Sequence, residues 1–355
     1  MSGKALHYFA GGNTAKGYFS LYGSAFKDLS RVFMLKGGSR AYKSEYMKSI
    51  SESFLAAGHS IEYLHCPSNN EWLDGFIIPS AGTGIIDDAV PDIRSHIPIE
   101  NLEVIVMNND MKHQSANYDA IGQLTADISS KLKQAYETFA ASLKAHDDIE
   151  DIYIANMDFT KANQLSTDLI NLFYGEEKAG KPSDVKHRFL GAATPDGAVD
   201  FIQNLTEDIE KRYFIKGRAG SGKSTMLKKI AAAGEERGFD VEVYHCGFDP
   251  NSLDMVILRE LGIAIFDSTA PHEYEPERHA DEIIDMYENC ITQGTDERFA
   301  PEIQRTTKAY KDKMKEAISY LAEAKEMMDQ LEELKGDMPS SYSVDLYKII
   351  TDEIK

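Results

Sequence analysis

Cysteine is scarce. Three residues in 355, Cys66, Cys246 and Cys290, are too few for a disulfide framework, and none stands in the paired C-x-x-C spacing of a structural zinc site. The fold must stand on packing. Positive charge is short as well: 38 Lys and Arg face 58 Asp and Glu, a formal net charge of -20, which argues against a surface built for DNA or RNA phosphates. No apolar run reaches the roughly 18 residues of a membrane span. The opening Met1-Ser-Gly-Lys-Ala-Leu-His-Tyr-Phe lacks the charged-then-apolar layout of a signal peptide. These absences lead us to expect a cytoplasmic chain with neither nucleic acid nor membrane as partner. What is present, 42% hydrophobic and 27% charged residues, suffices for the cores of two or three domains.

The chain repeats itself. Shifted by 180 residues, positions 7–92 align with 187–272 without a gap, and 23 of the 86 pairs are identical. Typical residue frequencies would give about 5. The matches include Lys43/Lys223, Ser44/Ser224, His65/His245, Cys66/Cys246, Asp74/Asp254 and Asp87/Asp267. Each copy runs on into a charge-rich stretch with apolar residues at three- and four-residue spacing, roughly 113–148 and 301–335, which predicts two long amphipathic helices, the second stopped by Gly336. These helices would pack the halves together, or pack on their own domains, or mediate oligomerisation, a state the sequence leaves open. The polar, Gly- and Pro-bearing segment 176–186 reads as a linker, so the expected domains are 1–178 and 179–355. Residues 93–112 read as an added strand that replaces the loop after Pro271 of the second copy.

The second copy carries the strong motif. An apolar strand at Tyr213-Phe-Ile-Lys leads into Gly217-Arg218-Ala219-Gly220-Ser221-Gly222-Lys223-Ser224-Thr225 and then a helical pattern. This fits G-x-x-x-x-G-K-[ST], the Walker A loop, in its strand-loop-helix setting. Glycines let consecutive N–H groups converge on phosphates, and a helix starting near Lys223 turns its positive end to the same anion. Lys223 would reach the β- and γ-phosphates and Ser224 would ligate magnesium. Downstream, Asp240–Cys246 and Gly262–Asp267 read as strands ending at a ligand edge, which makes Asp267 the Walker B candidate and a second magnesium ligand. Ser268 follows it and supplies no second acid, so slow hydrolysis is expected. Asp249 sits where nucleotide kinases place an acid that meets the acceptor; it would equally begin a turn with Pro250 or cap a helix starting at Ser252. His272 is a candidate γ-phosphate contact or a plain surface histidine, and Lys216 and Arg218 flank the loop.

The first copy keeps Lys43, Ser44 and Asp87 but reads Arg40 for Gly220 and Tyr42 for Gly222. Side chains at places that need glycine freedom predict an empty or weakened pocket, with a pocket remodelled around Arg40 as the alternative. A further alternative is that Arg40, Lys43 or another basic side chain of the first half completes the second site across a pseudo-twofold, as an arginine finger does. The doubled His65/Cys66 and His245/Cys246 pairs suggest either a metal between the halves or small residues at buried strand ends.

With Phe189-Leu-Gly-Ala-Ala-Thr-Pro-Asp-Gly-Ala, the Gly217 loop, His245-Cys-Gly-Phe-Asp-Pro and Ile265-Phe-Asp-Ser-Thr-Ala-Pro-His, the chain resembles a poorly characterised family of bacterial tandem P-loop proteins. The likeness covers essentially the whole length, including Phe9-Ala-Gly-Gly-Asn-Thr-Ala-Lys-Gly. It implies ATP and magnesium and names no substrate. Members tend to carry a glycine-rich loop in both halves, a pattern from which this chain departs at Arg40 and Tyr42. The expected fold is α/β: two duplicated P-loop NTPase domains with mostly parallel sheets, each with a long helical extension. No guanine-reading N-K-x-D segment follows the loop, so the expected nucleotide is ATP. The expected activity is a slow Mg-dependent ATPase with a degenerate regulatory half and an unidentified protein partner. The alternatives are a small-molecule kinase and a non-catalytic, nucleotide-dependent scaffold.

Overall fold

The computed structural model describes residues 3–107, 118–335 and 345–354. The first half runs β1 (Ala5–Tyr8), β2 (Gly11–Thr14), β3 (Gly17–Ser20), α1 (Tyr22–Phe26), β4 (Arg31–Lys36), α2 (Arg40–Ala56), β5 (Ile61–His65), β6 (Leu73–Ile78), β7 (Thr83–Asp87), β8 (Leu102–Val106), α3 (Tyr118–Ile154) and α4 (Phe159–Tyr174). The second runs β9 (Val185–Phe189), β10 (Gly191–Thr194), β11 (Gly197–Asp200), α5 (Ile202–Leu205), β12 (Lys211–Lys216), α6 (Lys223–Glu236), β13 (Val241–His245), β14 (Leu253–Leu258), β15 (Ile263–Asp267), β16 (Glu282–Asp285), α7 (Met286–Cys290), α8 (Thr295–Arg298), α9 (Ala300–Lys335) and α10 (Leu346–Ile354).

The protein is α/β, with two six-stranded mixed sheets ordered β1-β5-β6-β7-β4-β8 and β9-β13-β14-β15-β12-β16. The order is the same in both, element for element. Most neighbours are parallel; β6 and β14 alone run antiparallel to both of their neighbours. Both are buried along their whole length, which explains their unbroken apolar runs apart from one aspartate each. Here the sequence reading needs correction. In place of a helix from Ser252, Leu253-Asp-Met-Val-Ile-Leu258 forms a strand between those expected at 240–246 and 262–267, buried throughout and hydrogen-bonded to both β13 and β15. The added strand expected only in the first half is β8, and its counterpart β16 stands 180 residues on in the second, each parallel to its loop-bearing strand β4 or β12. Residues 108–112 of that expectation lie outside the described residues.

The halves meet along a pseudo-twofold. Phe9 and Phe189, 180 residues apart, exchange backbone hydrogen bonds of 3.1 and 2.9 Å. The sheet faces turned away from α2 and α6 share one core, in which Tyr8, Met34 and Ile86 join Leu190, Phe214 and Phe266. The long helices α3 and α9 pack on each other antiparallel: Lys131 pairs with Glu323 at 2.5 Å and Ser142 donates to the carbonyl of Tyr310 at 3.1 Å. Buried α3 positions Ile128, Ala135, Phe139, Ser142, Ile149 and Tyr153 repeat in sevens split as four and three, a coiled-coil seam. So the helices join the halves rather than folding back on their own sheets.

The shorter helices cross over. α4 of the first half lays Leu169, Phe173 and Tyr174 on Met226, Leu227 and Ile230 of α6, and the Tyr174 hydroxyl donates to the Ile230 carbonyl at 2.9 Å. In return α10 sets Leu346 and Ile350 among Tyr46, Met47, Ile50 and Phe54 of α2. The chain passes from one sheet to the other at the linker near 180, yet each sheet is finished by a helix from the other half. Among the described residues no helix is long and apolar enough to cross a membrane.

Candidate functional site

In the second half β12 ends at Lys216, the loop Gly217–Gly222 follows, and α6 starts at Lys223. Gly220 and Gly222 have φ of +71° and +88°, conformations that side chains resist. Gly222 occupies the N-cap position and no side chain caps the helix, so the first N–H groups of α6 have no side-chain acceptor at the cap. Lys223 Nζ donates to the carbonyl of Arg218 at 3.0 Å and stands 3.4 Å from Asp267 Oδ2. Ser224 Oγ accepts the Leu253 N–H at 3.0 Å, and Thr225 is exposed beside it. Ser221 ties the loop to itself by donating to the Arg218 carbonyl at 2.8 Å. Asp267 accepts from both the backbone and hydroxyl of Thr269, at 3.0 and 2.6 Å. The loop, Lys223, Ser224, Asp249, Asp254, Asp267 and His272 line one cleft of about 1390 Å³.

The flanking cations are engaged elsewhere. Arg218 pairs with Asp296 at 2.9 Å over the ring of Tyr287, Ala219 packs against the α3 seam, and Lys216 donates to the Tyr274 carbonyl and to Glu275, both at 2.7 Å. Asp249 forms the turn allowed for it, accepting from Asn251 N–H at 3.2 Å and from Ser252 Oγ at 3.1 Å. It also faces Lys16 of the first half at 3.6 Å.

One wall of the cleft belongs to the other half. A Cβ placed on Gly220 would lie 2.6 to 3.0 Å from the backbone of Glu150 in α3, so the glycine serves both the loop's shape and the approach of a first-half helix. Gly220→Ala is therefore expected to weaken nucleotide binding at least about tenfold and to lower the melting temperature, because a strained φ and a backbone clash act together. Unchanged calorimetric affinity in that variant would show that the loop is not the binding element.

Sequence reading missed Asp254. It faces the cleft from β14 and is 8% exposed, and burial together with the charge of Asp267 pushes its carboxyl up to about 6. A signal was present: a lone charge inside an apolar run, kept at the same place in both copies as Asp74 and Asp254. His272 is held by Asp200, Nδ1 to Oδ2 at 2.8 Å, with Tyr274 donating to the other oxygen at 2.8 Å. Burial lowers its affinity for a proton, but the hydrogen bond to Asp200 and the charges of Asp254, Asp200 and Asp267 outweigh that and raise its pKa. A raised histidine stabilises the fold at acid and neutral pH and loses that contribution as pH rises through its folded value. In metal-free protein the imidazole NMR titration of His272 is expected to have its midpoint above the ordinary 6.5 and to fall back in Asp200→Asn. A midpoint at or below 6.5 would remove the ion pair.

In the first half the same space is filled by α2 and by Glu332 of α9. α2 begins at Arg40, three residues earlier than α6 by equivalence, and winds through the place of the second loop. Ser39 caps it by accepting the Tyr42 N–H at 3.1 Å, and Glu332 of α9 accepts the Ala41 N–H at 3.2 Å, a carboxylate at a helix start that would otherwise face an anion. Arg40 turns inward to Asp74 at 2.7 Å and Asp87 at 3.4 Å. Lys43, 2% exposed, is bonded to Asp87 and to Asp88. Neither cation reaches the second site, so the arginine-finger expectation for Arg40 or Lys43 fails: their own buried carboxylates hold them. What the first half does supply there is α3 and Lys16.

Among the described residues the His-Cys pairs do not come together as a cluster of metal-ligating atoms. His7 and His65 share a hydrogen bond of 2.9 Å, as do His187 and His245, and His245 also bonds the Pro250 carbonyl at 2.7 Å. Burial and the neighbouring His7 bring His65 down to about 3, and burial pushes the Cys66 thiol up to about 12, so these are neutral core groups. Among the described residues the one group with three ligand-type atoms close together is His146, Asp147 and Glu150, within 4.8 Å on the cleft-facing side of α3. Comparison with protein-family models, with curated proteins and with solved structures finds no match for this chain.

Proposed function

We propose that the second half binds ATP with magnesium at Gly217–Thr225, and that the protein is a slow, cytoplasmic Mg-dependent ATPase whose first half is a closed, regulatory copy of the same P-loop fold. Kinship with bacterial tandem P-loop proteins belongs to this proposal. The observation that carries it is the contrast at one structural position. An uncapped helix start preceded by positive-φ glycines opens on a cleft in the second half, while the first half caps that start and plugs it.

The residues present fit a magnesium nucleotide. Backbone N–H groups of the loop and of the first turn of α6 would hold phosphate oxygens, and Lys223, tied only to a carbonyl and at 3.4 Å to Asp267, is poised to exchange them for phosphate. Ser224 and Asp267 would hold the magnesium, whose chemistry is to neutralise charge developing on the phosphates. Ser268, the residue after Asp267, is buried and bonded both ways to Tyr274, so no general base stands there to activate water. That supports slow turnover. A partner protein would then act by moving α3, which braces the loop at Gly220.

One observation favours a second reading, a small-molecule kinase. The cleft continues from the loop past Asp249 to His146, Gln304 and Tyr310 on the long helices, leaving room beside a nucleotide for an acceptor. The deciding experiment is titration calorimetry with Mg-ATP and a non-hydrolysable analogue, followed by phosphate release with and without cell metabolites. One site per chain and slow release support the ATPase; transfer only in the presence of a metabolite supports the kinase; bound ATP that stays intact leaves a scaffold; absence of binding sinks all three.

A further inference from the structure

Asp254 and Asp267 lie opposite each other on β14 and β15, one step beyond the pair Met255 and Phe266, and both line the cleft beside Lys223 and Ser224. Like charges directly opposite on neighbouring strands destabilise a sheet. Asp74 and Asp87 repeat the arrangement one step beyond Gly75 and Ile86. There the repulsion is relieved by a cation between them: the Arg40 guanidinium, at 2.7 and 3.4 Å. The frameworks correspond closely, since Ser44 and Ser224 accept the N–H of Leu73 and Leu253 at 2.9 and 3.0 Å.

In the second half the residue at Arg40's place is Gly220, which has no side chain to send. Lys223 pairs with Asp267 at 3.4 Å, and its charge and that of His272, which is bonded to Asp200, act on Asp254 from beyond ion-pairing distance. Among the described residues no Lys or Arg comes within ion-pairing distance of Asp254, which is 8% exposed and has the Cys246 thiol as its hydrogen-bond neighbour. We propose that a divalent cation takes the place of the missing guanidinium, held by Asp254, Asp267 and the Ser224 hydroxyl, and that it binds before any nucleotide. An all-oxygen set of this kind suits magnesium or manganese over softer metals. The inference refines the nucleotide reading of the same cleft by adding Asp254 as a ligand and by making the metal site independent of phosphate.

The test is a titration of the full-length protein with Mn²⁺ and no nucleotide, free Mn²⁺ being read by its electron paramagnetic resonance signal. One Mn²⁺ per chain is expected, weakened at least about tenfold in Asp254→Asn and in Asp267→Asn. Asp254→Asn keeps the size of the side chain and removes its charge, losing a repulsion with Asp267 and an attraction to His272, and its melt beside the parent's checks its folding. No Mn²⁺ bound, or the same affinity in an Asp254→Asn variant that melts like the parent, overturns the proposal. The two readings fail separately. ATP binding with a Mn²⁺ affinity indifferent to Asp254 removes the metal site alone, and Asp254-dependent Mn²⁺ binding without ATP binding removes the nucleotide alone.

Discussion

Lys223→Ala is expected to weaken Mg-ATP binding by about 100-fold or more at little cost in stability, while Lys43→Ala leaves ATP binding intact and destabilises the protein by about 3–5 kcal/mol. The two lysines are equivalent in sequence and opposite in circumstance. Lys223 sits in the open cleft, bonded to a loop carbonyl at 3.0 Å with a single carboxylate at 3.4 Å, so its loss strands little charge. Lys43 is 2% exposed and carries hydrogen bonds to both Asp87 and Asp88, and removing it leaves buried carboxylate that Arg40 alone must balance. Calorimetry and urea unfolding on both variants separate the effects. Binding lost in Lys43→Ala with a normal unfolding curve would reverse the roles assigned to the two halves.

The second large effect is expected at the junction. Arg188 of β9 is buried and joins Glu62 of the first half at 2.8 Å to Glu242 of the second at 3.4 Å, with its guanidinium 4.4 Å above the ring of Tyr8. Tyr8 and Tyr244 donate to the same two carboxylates at 2.6 and 2.8 Å. Arg188→Ala strands Glu62 and leaves Glu242 to Arg259, and about 3–5 kcal/mol should be lost in urea unfolding. Pairing Arg188→Met with Glu62→Gln should recover much of the loss, since the stranded charge goes too. Burial alone would raise the Glu242 carboxyl, but the charges of Arg188 and Arg259 hold it below its ordinary range. Its contribution is therefore full above the unfolded value near 4.3 and fades as pH falls through the folded one, so Arg188→Ala should show a shallower acid limb. A loss under about 1 kcal/mol would mean that the Arg188 bridge contributes little to holding the halves together.

Much of this was legible in the chain. The 180-residue shift exposed the duplication, and the Gly217 loop, Lys223, Ser224 and Asp267 do gather in one cleft. Local patterns could show these because loop, strand end and helix start are consecutive or nearly so. The fate of Arg40 was half visible: a side chain at a glycine position predicts a spoiled loop, but not that it would bridge Asp74 and Asp87, 34 and 47 residues away, because that depends on β6 lying beside β7. The antiparallel strand β14 escaped for the same reason that Asp254 did. A short apolar run with one charge in it has no periodicity to declare its partners. The contribution of α3 to the second site was beyond reach, since nothing local in Glu150 marks it as a neighbour of Gly220.

The exchange of α4 and α10 bears on how such a chain came to differ from itself. Two copies that each complete the other with a terminal helix have the connectivity of a helix-swapped homodimer joined end to end. In a homodimer every substitution appears twice, so a residue that plugs one pocket plugs both, and the assembly keeps two working sites or none. A covalent join ends that constraint and fixes the partner at high local concentration. One copy is then free to close its pocket with side chains from both halves, Arg40 between Asp74 and Asp87 and Glu332 of α9 at the start of α2, while continuing to lend α3 and α4 to its twin. Asymmetry of this kind is denied to a dimer of identical chains.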